Sequence, residues 1–97
     1  MDDAVCTVDK HKIKVKVVHN VGLMSLHSGK SKLSSINFTI NEESNTVDIN
    51  HCYTTKKHRG KGFAAILLKE MIKYCEEKKL EIVPICSYAK ETIPKLG

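Results

Sequence analysis

Ile13, Val15 and Val17 alternate with Lys14 and Lys16, a pattern that predicts a strand with one apolar and one basic face. Outward lysines discourage pairing at a free edge, so an added edge strand is expected here. Val21 to His27 carries a second apolar run, and Ser28-Gly29-Lys30 reads as a turn. Leu33 to Ile40 alternates through Ile36, Phe38 and Ile40, and Asn41 to Asn45 is a polar hairpin connection. From Thr46 the next strand runs to Tyr53. Plain alternation puts Val47, Ile49, His51 and Tyr53 on one face and Asp48, Asn50, Cys52 and Thr54 on the other.

The period then changes. Ala64, Leu67, Leu68, Met71, Ile72 and Cys75 recur at helical spacing, so a helix is expected over Ala64 to Lys79. Lys78 and Lys79 suit the negative end of its dipole. Leu80 to Cys86 is almost continuously apolar, the mark of a buried strand. Ala89 to Gly97 reads as a short helical turn before Pro94, and Met1 to Lys10, polar and without a period, as a loose end. Strand, helix and strand in this order make a βαβ unit with parallel strands and a right-handed crossover. The fold class is therefore α+β: antiparallel strands, then a βαβ unit with one main amphipathic helix packed on the sheet.

Composition bounds what this frame can do. The 97 residues make one domain with one modest core. A net charge of +5 favours an anionic ligand. With two Phe, three Tyr and no Trp, stacking aromatics are too few to favour a nucleic-acid binder. Cys6, Cys52, Cys75 and Cys86 show no C-x-x-C and no zinc spacing, so no metal site is expected. The acidic start, Met1-Asp2-Asp3, predicts no secretory leader. The cysteines are therefore read as reduced thiols of an intracellular, cytoplasmic protein. No apolar run is long enough to cross a bilayer as a helix.

The sharpest chemistry lies between strand and helix, in Thr55-Lys56-Lys57-His58-Arg59-Gly60-Lys61-Gly62-Phe63-Ala64. Glycines at the start of a helix let an anion reach free backbone N–H groups, where the macrodipole adds positive charge. There is no G-x-x-x-x-G-K-[ST] and no G-x-G-x-x-G, so nucleotide and dinucleotide loops are not supported.

Arg59-Gly60-Lys61-Gly62-Phe63-Ala64 does match the R/Q-x-x-G-x-G/A signature of the GNAT acetyltransferases. With His51-Cys52-Tyr53 before the loop and Val83-Pro84-Ile85-Cys86-Ser87-Tyr88 after the helix, the chain resembles the short, single-domain GNAT-like family. One departure stands out: Thr54-Thr55 occupies the place of that family's Val-Pro. The resemblance implies a reduced GNAT fold. Residues 21–97 would form the acetyl-CoA-binding domain, and 1–20 an N-terminal extension with the edge strand.

It also implies acetyl-CoA as the acyl donor. Arg59, Gly60, Lys61, Gly62, Phe63 and Ala64 would hold its diphosphate, and backbone around Tyr53 and Thr54 its carbonyl. Cys86 is the matching family cysteine, as proton donor or transient acyl carrier, against a plain reading as a small buried residue. Tyr88 is an acid, or a core or CoA contact. His51 is a base, or a hydrogen-bonded structural residue. Larger GNATs carry further elements that wall the acceptor site, so here a homodimer or partner chain would complete it. The function implied is acetyl transfer to an unidentified amine, with a non-catalytic CoA-binding or acyl-CoA-binding module as the alternative.

Overall fold

His19 and Asn20 both take positive φ, 52° and 65°, the geometry of a two-residue hairpin turn whose twist matches its strands. They join two of the six strands in a computed structural model that describes residues 2–8 and 11–96, with side chains described from 11 to 95. The strands are β1 (Asp2–Val8), β2 (His11–Val18), β3 (Val21–Ser28), β4 (Ser31–Asn41), β5 (Thr46–Thr54) and β6 (Glu81–Pro84). They form one sheet in sequence order. Every pair is antiparallel except β5 with β6, which is parallel. The crossover is helix α1 (Phe63–Glu77), and helix α2 (Ser87–Leu96) follows β6.

Four expectations change. The stretch read as a loose end forms β1 over Asp2–Val8, paired with β2, while Met1, Asp9, Lys10 and Gly97 lie outside the described residues, as does the Cys6 side chain. The Ile13–Val17 strand is consequently second in the sheet, and β1 takes the edge. Leu80 to Cys86 is not a buried strand: β6 is an edge strand whose residues alternate between exposed and half-buried. Its apolar run reflects packing against α1 and α2 on one side only. The expected C-terminal turn is a full helix that carries Pro94 inside it.

One face of the sheet holds the core. Ile13 and Val15 of β2, Met24 and Leu26 of β3, Ile36 and Phe38 of β4, and Val47 and Ile49 of β5 are buried there. Leu67, Leu68, Met71 and Cys75 close it from α1, as their helical spacing predicts. Just past the end of α1, Lys79 takes the left-handed conformation (φ 58°) usually given to glycine. Lys79 N–H donates to Glu76 O and Leu80 N–H to Cys75 O, so two of the last carbonyls are satisfied.

The opposite face presents Lys12, Lys14, Lys16, Val21 and Leu23, all exposed. On it His27 Nε2 lies 2.8 Å from Ser25 Oγ. Desolvation, then the charges of Lys14 and Lys32, hold the imidazole below its ordinary value. The unfolded chain therefore binds that proton more readily. The contribution to stability is full above the unfolded value, about 6.5, and is lost as pH falls below it. We expect His27→Gln to flatten the acid limb of the stability profile. Thermal melts from about pH 7.5 down to about pH 5 test this, and an unchanged acid limb would remove His27 as its cause.

Candidate functional site

The register of β5 decides which side chains reach the helix side. Asn37 pairs with His51 and Phe38 with Ile49, leaving Asn50 as an extra residue with no opposite partner. This is a β-bulge, and one extra residue reverses which face each later side chain takes. The expected grouping of His51 and Tyr53 with Val47 and Ile49 is thus overturned. Past the bulge, Cys52 and Thr54 share the core side with Ile36 and Ser34, their register partners. His51 and Tyr53 turn to the uncovered face, where both are exposed. Asn50 Nδ2 donates to Thr39 Oγ1 at 2.8 Å and anchors the bulge.

β5 and β6 then part. Their pairing runs from Thr46 opposite Glu81 to Ile49 opposite Pro84 and stops. Pro84 has no N–H to continue the ladder. The next two amides, Ile85 and Cys86, both donate to Ile49 O, at 3.1 and 3.0 Å. That convergence swings the chain away, and α2 starts at Ser87. Beyond Ile49, β5 runs on without a partner on that side among the described residues. A cavity of about 580 Å³ opens beside this free end of β5, between it and Tyr88 of α2, within the range of small-molecule sites.

The loop forms the far wall of this cavity. Gly60 and Gly62 take φ of 81° and 79°, a left-handed conformation costing other residues roughly 1–2 kcal/mol. A Cβ at either glycine would meet no protein atom within 4 Å, so the space in front of this backbone is open. No side chain caps the first turn of α1, which leaves N–H groups of that turn available to an anion. Arg59, Gly60, Gly62, Phe63 and Ala64 line the cavity; Lys61, exposed between the glycines, does not. The residues present therefore fit a diphosphate.

Hydrogen bonds supply the stiffness that a Val-Pro pair would have given before the loop. Ser34 Oγ donates to Tyr53 O at 2.8 Å and lies 2.9 Å from Thr54 Oγ1. Thr55 N–H donates to Leu33 O, and Arg59 Nε–H to Thr54 O, both at 3.2 Å. Since Thr55 N–H faces β4, strand alternation turns the Thr54 amide toward the gap. Thr55 Oγ1 also lies 2.5 Å from His58 Nδ1, and the His58 ring packs on Phe63. His58 lines the cavity. The short 3₁₀ turn at Lys56–His58 folds it inward.

Tyr88 lines the cavity from the first turn of α2 and is 40 % exposed. The expectation that Cys86 and Tyr88 share a strand face fails, because the chain is helical from Ser87. Cys86 stands just before α2, where its Sγ accepts the Ala89 N–H at 3.4 Å. Its thiol points at Cys52, with the sulfurs 3.0 Å apart. Cys52, which plain alternation puts on the face away from Ile49, lines the cavity and touches Cys86 on its other side. Desolvation, then the hydrogen bond and charge of Cys86, push the Cys52 thiol well above its ordinary range. Burial alone pushes Cys75 up to about 11, as suits a thiol of the core.

A mixed sheet parted at a proline, with a glycine loop heading the crossover helix, is the frame of an acyltransferase domain. A family model described as GCN5-related N-acetyl-transferase matches residues 24–96. The chain belongs to that family, and its fold is a reduced form of the family's α+β layout. No curated protein matches the sequence. None of its described helices is long and apolar enough to cross a membrane.

Proposed function

We propose that the protein is a small acetyl-CoA-dependent N-acyltransferase. The observation that carries this reading is the open, uncapped backbone at Gly60 and Gly62, facing the cavity between β5 and α2. In this reading 21–97 is the acetyl-CoA-binding domain and 1–20 an extension that adds the edge strand. The amides from Gly60 to Ala64, with Arg59 and Lys61 beside them, take the diphosphate. The pantetheine arm follows the free side of β5 past Tyr53 and Thr54, and the thioester oxygen meets the Thr54 N–H. Such a donor stabilises the oxyanion as the amine attacks.

The amine gives up a proton to a base, and His51 at the cavity wall is the candidate. Collapse of the tetrahedral intermediate expels the CoA thiolate, which needs a proton. Cys86 is the first candidate donor and Tyr88 the second. The acceptor side lies between Tyr53 and Tyr88, 44 % and 40 % exposed, open to a second copy or another chain. A reducing, intracellular setting agrees with the free thiols of Cys52, Cys75 and Cys86.

Titration with acetyl-CoA, followed by native mass spectrometry, tests the proposal: saturable binding is expected, and no binding would sink it. Cys86→Ala is expected to lower acetyl turnover by about 10²-fold or more, with CoA affinity retained. Unchanged turnover in that variant would return Cys86 to a packing role and leave Tyr88 as the donor.

A further inference from the structure

Two thiols from distant parts of the chain meet at the mouth of the parted strands. Cys52 comes from β5 beyond the bulge and Cys86 from the turn into α2, with the sulfurs 3.0 Å apart. A disulfide needs them at about 2.05 Å, so roughly 1 Å of side-chain rotation closes the bond. Both residues are partly exposed, and Cys52 lines the cavity, so a small oxidant has a way in. Cys75, buried in the core, has no such route.

The two sulfurs are unequal. Cys86 accepts the Ala89 N–H at the start of a ten-residue helix. Cys52 is held in the thiol form by its surroundings. The Ala89 N–H aimed at its sulfur marks Cys86 as the attacking member of the pair, and Cys52, 3.0 Å away, as the resolving one.

We propose that Cys52 and Cys86 are a redox pair that closes to an intramolecular disulfide on reaction with a hydroperoxide. With hydrogen peroxide, the Cys86 sulfur attacks one oxygen and breaks the O–O bond, becoming a sulfenic acid; the departing hydroxide takes the proton that the Cys86 thiol gives up and leaves as water. Cys52 sulfur then attacks Cys86 sulfur and displaces hydroxide, which takes the Cys52 proton and leaves as a second water. Two thiols lose two electrons and the peroxide gains them. The bond removes the Cys86 thiol from chemistry and ties β5 to α2 across the gap. The crosslink stands on the two sulfurs alone; only its effect on acetyl transfer rests on the function proposed above.

The test treats the full chain with hydrogen peroxide, then alkylates it under denaturing conditions and maps its peptides. A peptide pair joined through Cys52 and Cys86, lighter by two hydrogens (about 2 Da) and separated by dithiothreitol, is the expected result. In Cys6→Ser/Cys75→Ala, which keeps only this pair, the same loss is expected. Adding Cys52→Ser should leave Cys86 oxidised but uncrosslinked. Both thiols still alkylated after peroxide, Cys86 over-oxidised beside a free Cys52, or a crosslink only between chains would each overturn the pair. Turnover of the oxidised protein is read separately. A disulfide that forms without lowering turnover counts against the role given to Cys86, not against the crosslink.

Discussion

Gly62→Glu is expected to abolish detectable binding of coenzyme A while the chain stays folded. Gly62 sits at φ 79° immediately before α1, and its missing Cβ faces open space. A glutamate there acts in two ways. Its backbone must hold a left-handed conformation at roughly 1–2 kcal/mol, a loss most domains survive. Its carboxylate also stands in the space assigned to a diphosphate. One like charge at about 4 Å costs about 4 kcal/mol at a partly screened surface, close to a thousandfold in affinity. Gly62→Ala carries the same backbone strain without the charge and should bind with an intermediate loss. Isothermal titration of the three proteins, with melting curves alongside, separates the two effects. Equal affinity in Gly62→Glu and the unmodified chain would remove the diphosphate from this loop.

Gly22→Ala is expected to cost the most stability of any single methyl added to the sheet. Gly22 lies directly opposite Phe38 in the β3–β4 register. A Cβ at Gly22 would run into the Phe38 ring. That ring is fully buried and tilts against Tyr74, with ring centres 5.9 Å apart. Moving the ring aside disturbs the buried neighbours it packs on, because cores are packed about as tightly as organic crystals. Overpacking of this kind costs about 1–3 kcal/mol, and each kcal/mol moves the midpoint about 4–8 °C in a domain this size. A drop of roughly 5–20 °C follows. On a Phe38→Leu background the same change should cost less, since the two side chains compete for one volume. Equal costs on both backgrounds would show that the ring does not fill the place of the missing Cβ.

These two glycines illustrate different kinds of legibility. Gly60 and Gly62 were readable because the Arg59-Gly60-Lys61-Gly62 spacing sits between a strand pattern and a helix pattern, and local backbone geometry follows from local residues. Gly22 was not, since its reason is a ring sixteen positions further along the chain that register brings opposite it. Cys52 was hidden in the same way. Alternation placed it away from the core, and one unpaired residue at Asn50 turned it back.

The helix over Phe63–Glu77, the antiparallel hairpins and the parallel crossover were all determined by the chain's own periodicities. Side-chain spacing selects the element, and chirality selects the handedness of the connection. The tertiary structure decided what spacing cannot encode: that residues near the start of the chain pair as β1, that β6 is a half-exposed edge, and that two thiols thirty-four positions apart come within 3.0 Å. Such pairings depend on which strands become neighbours and in which register. That choice belongs to the energy of the whole sheet rather than to any one segment.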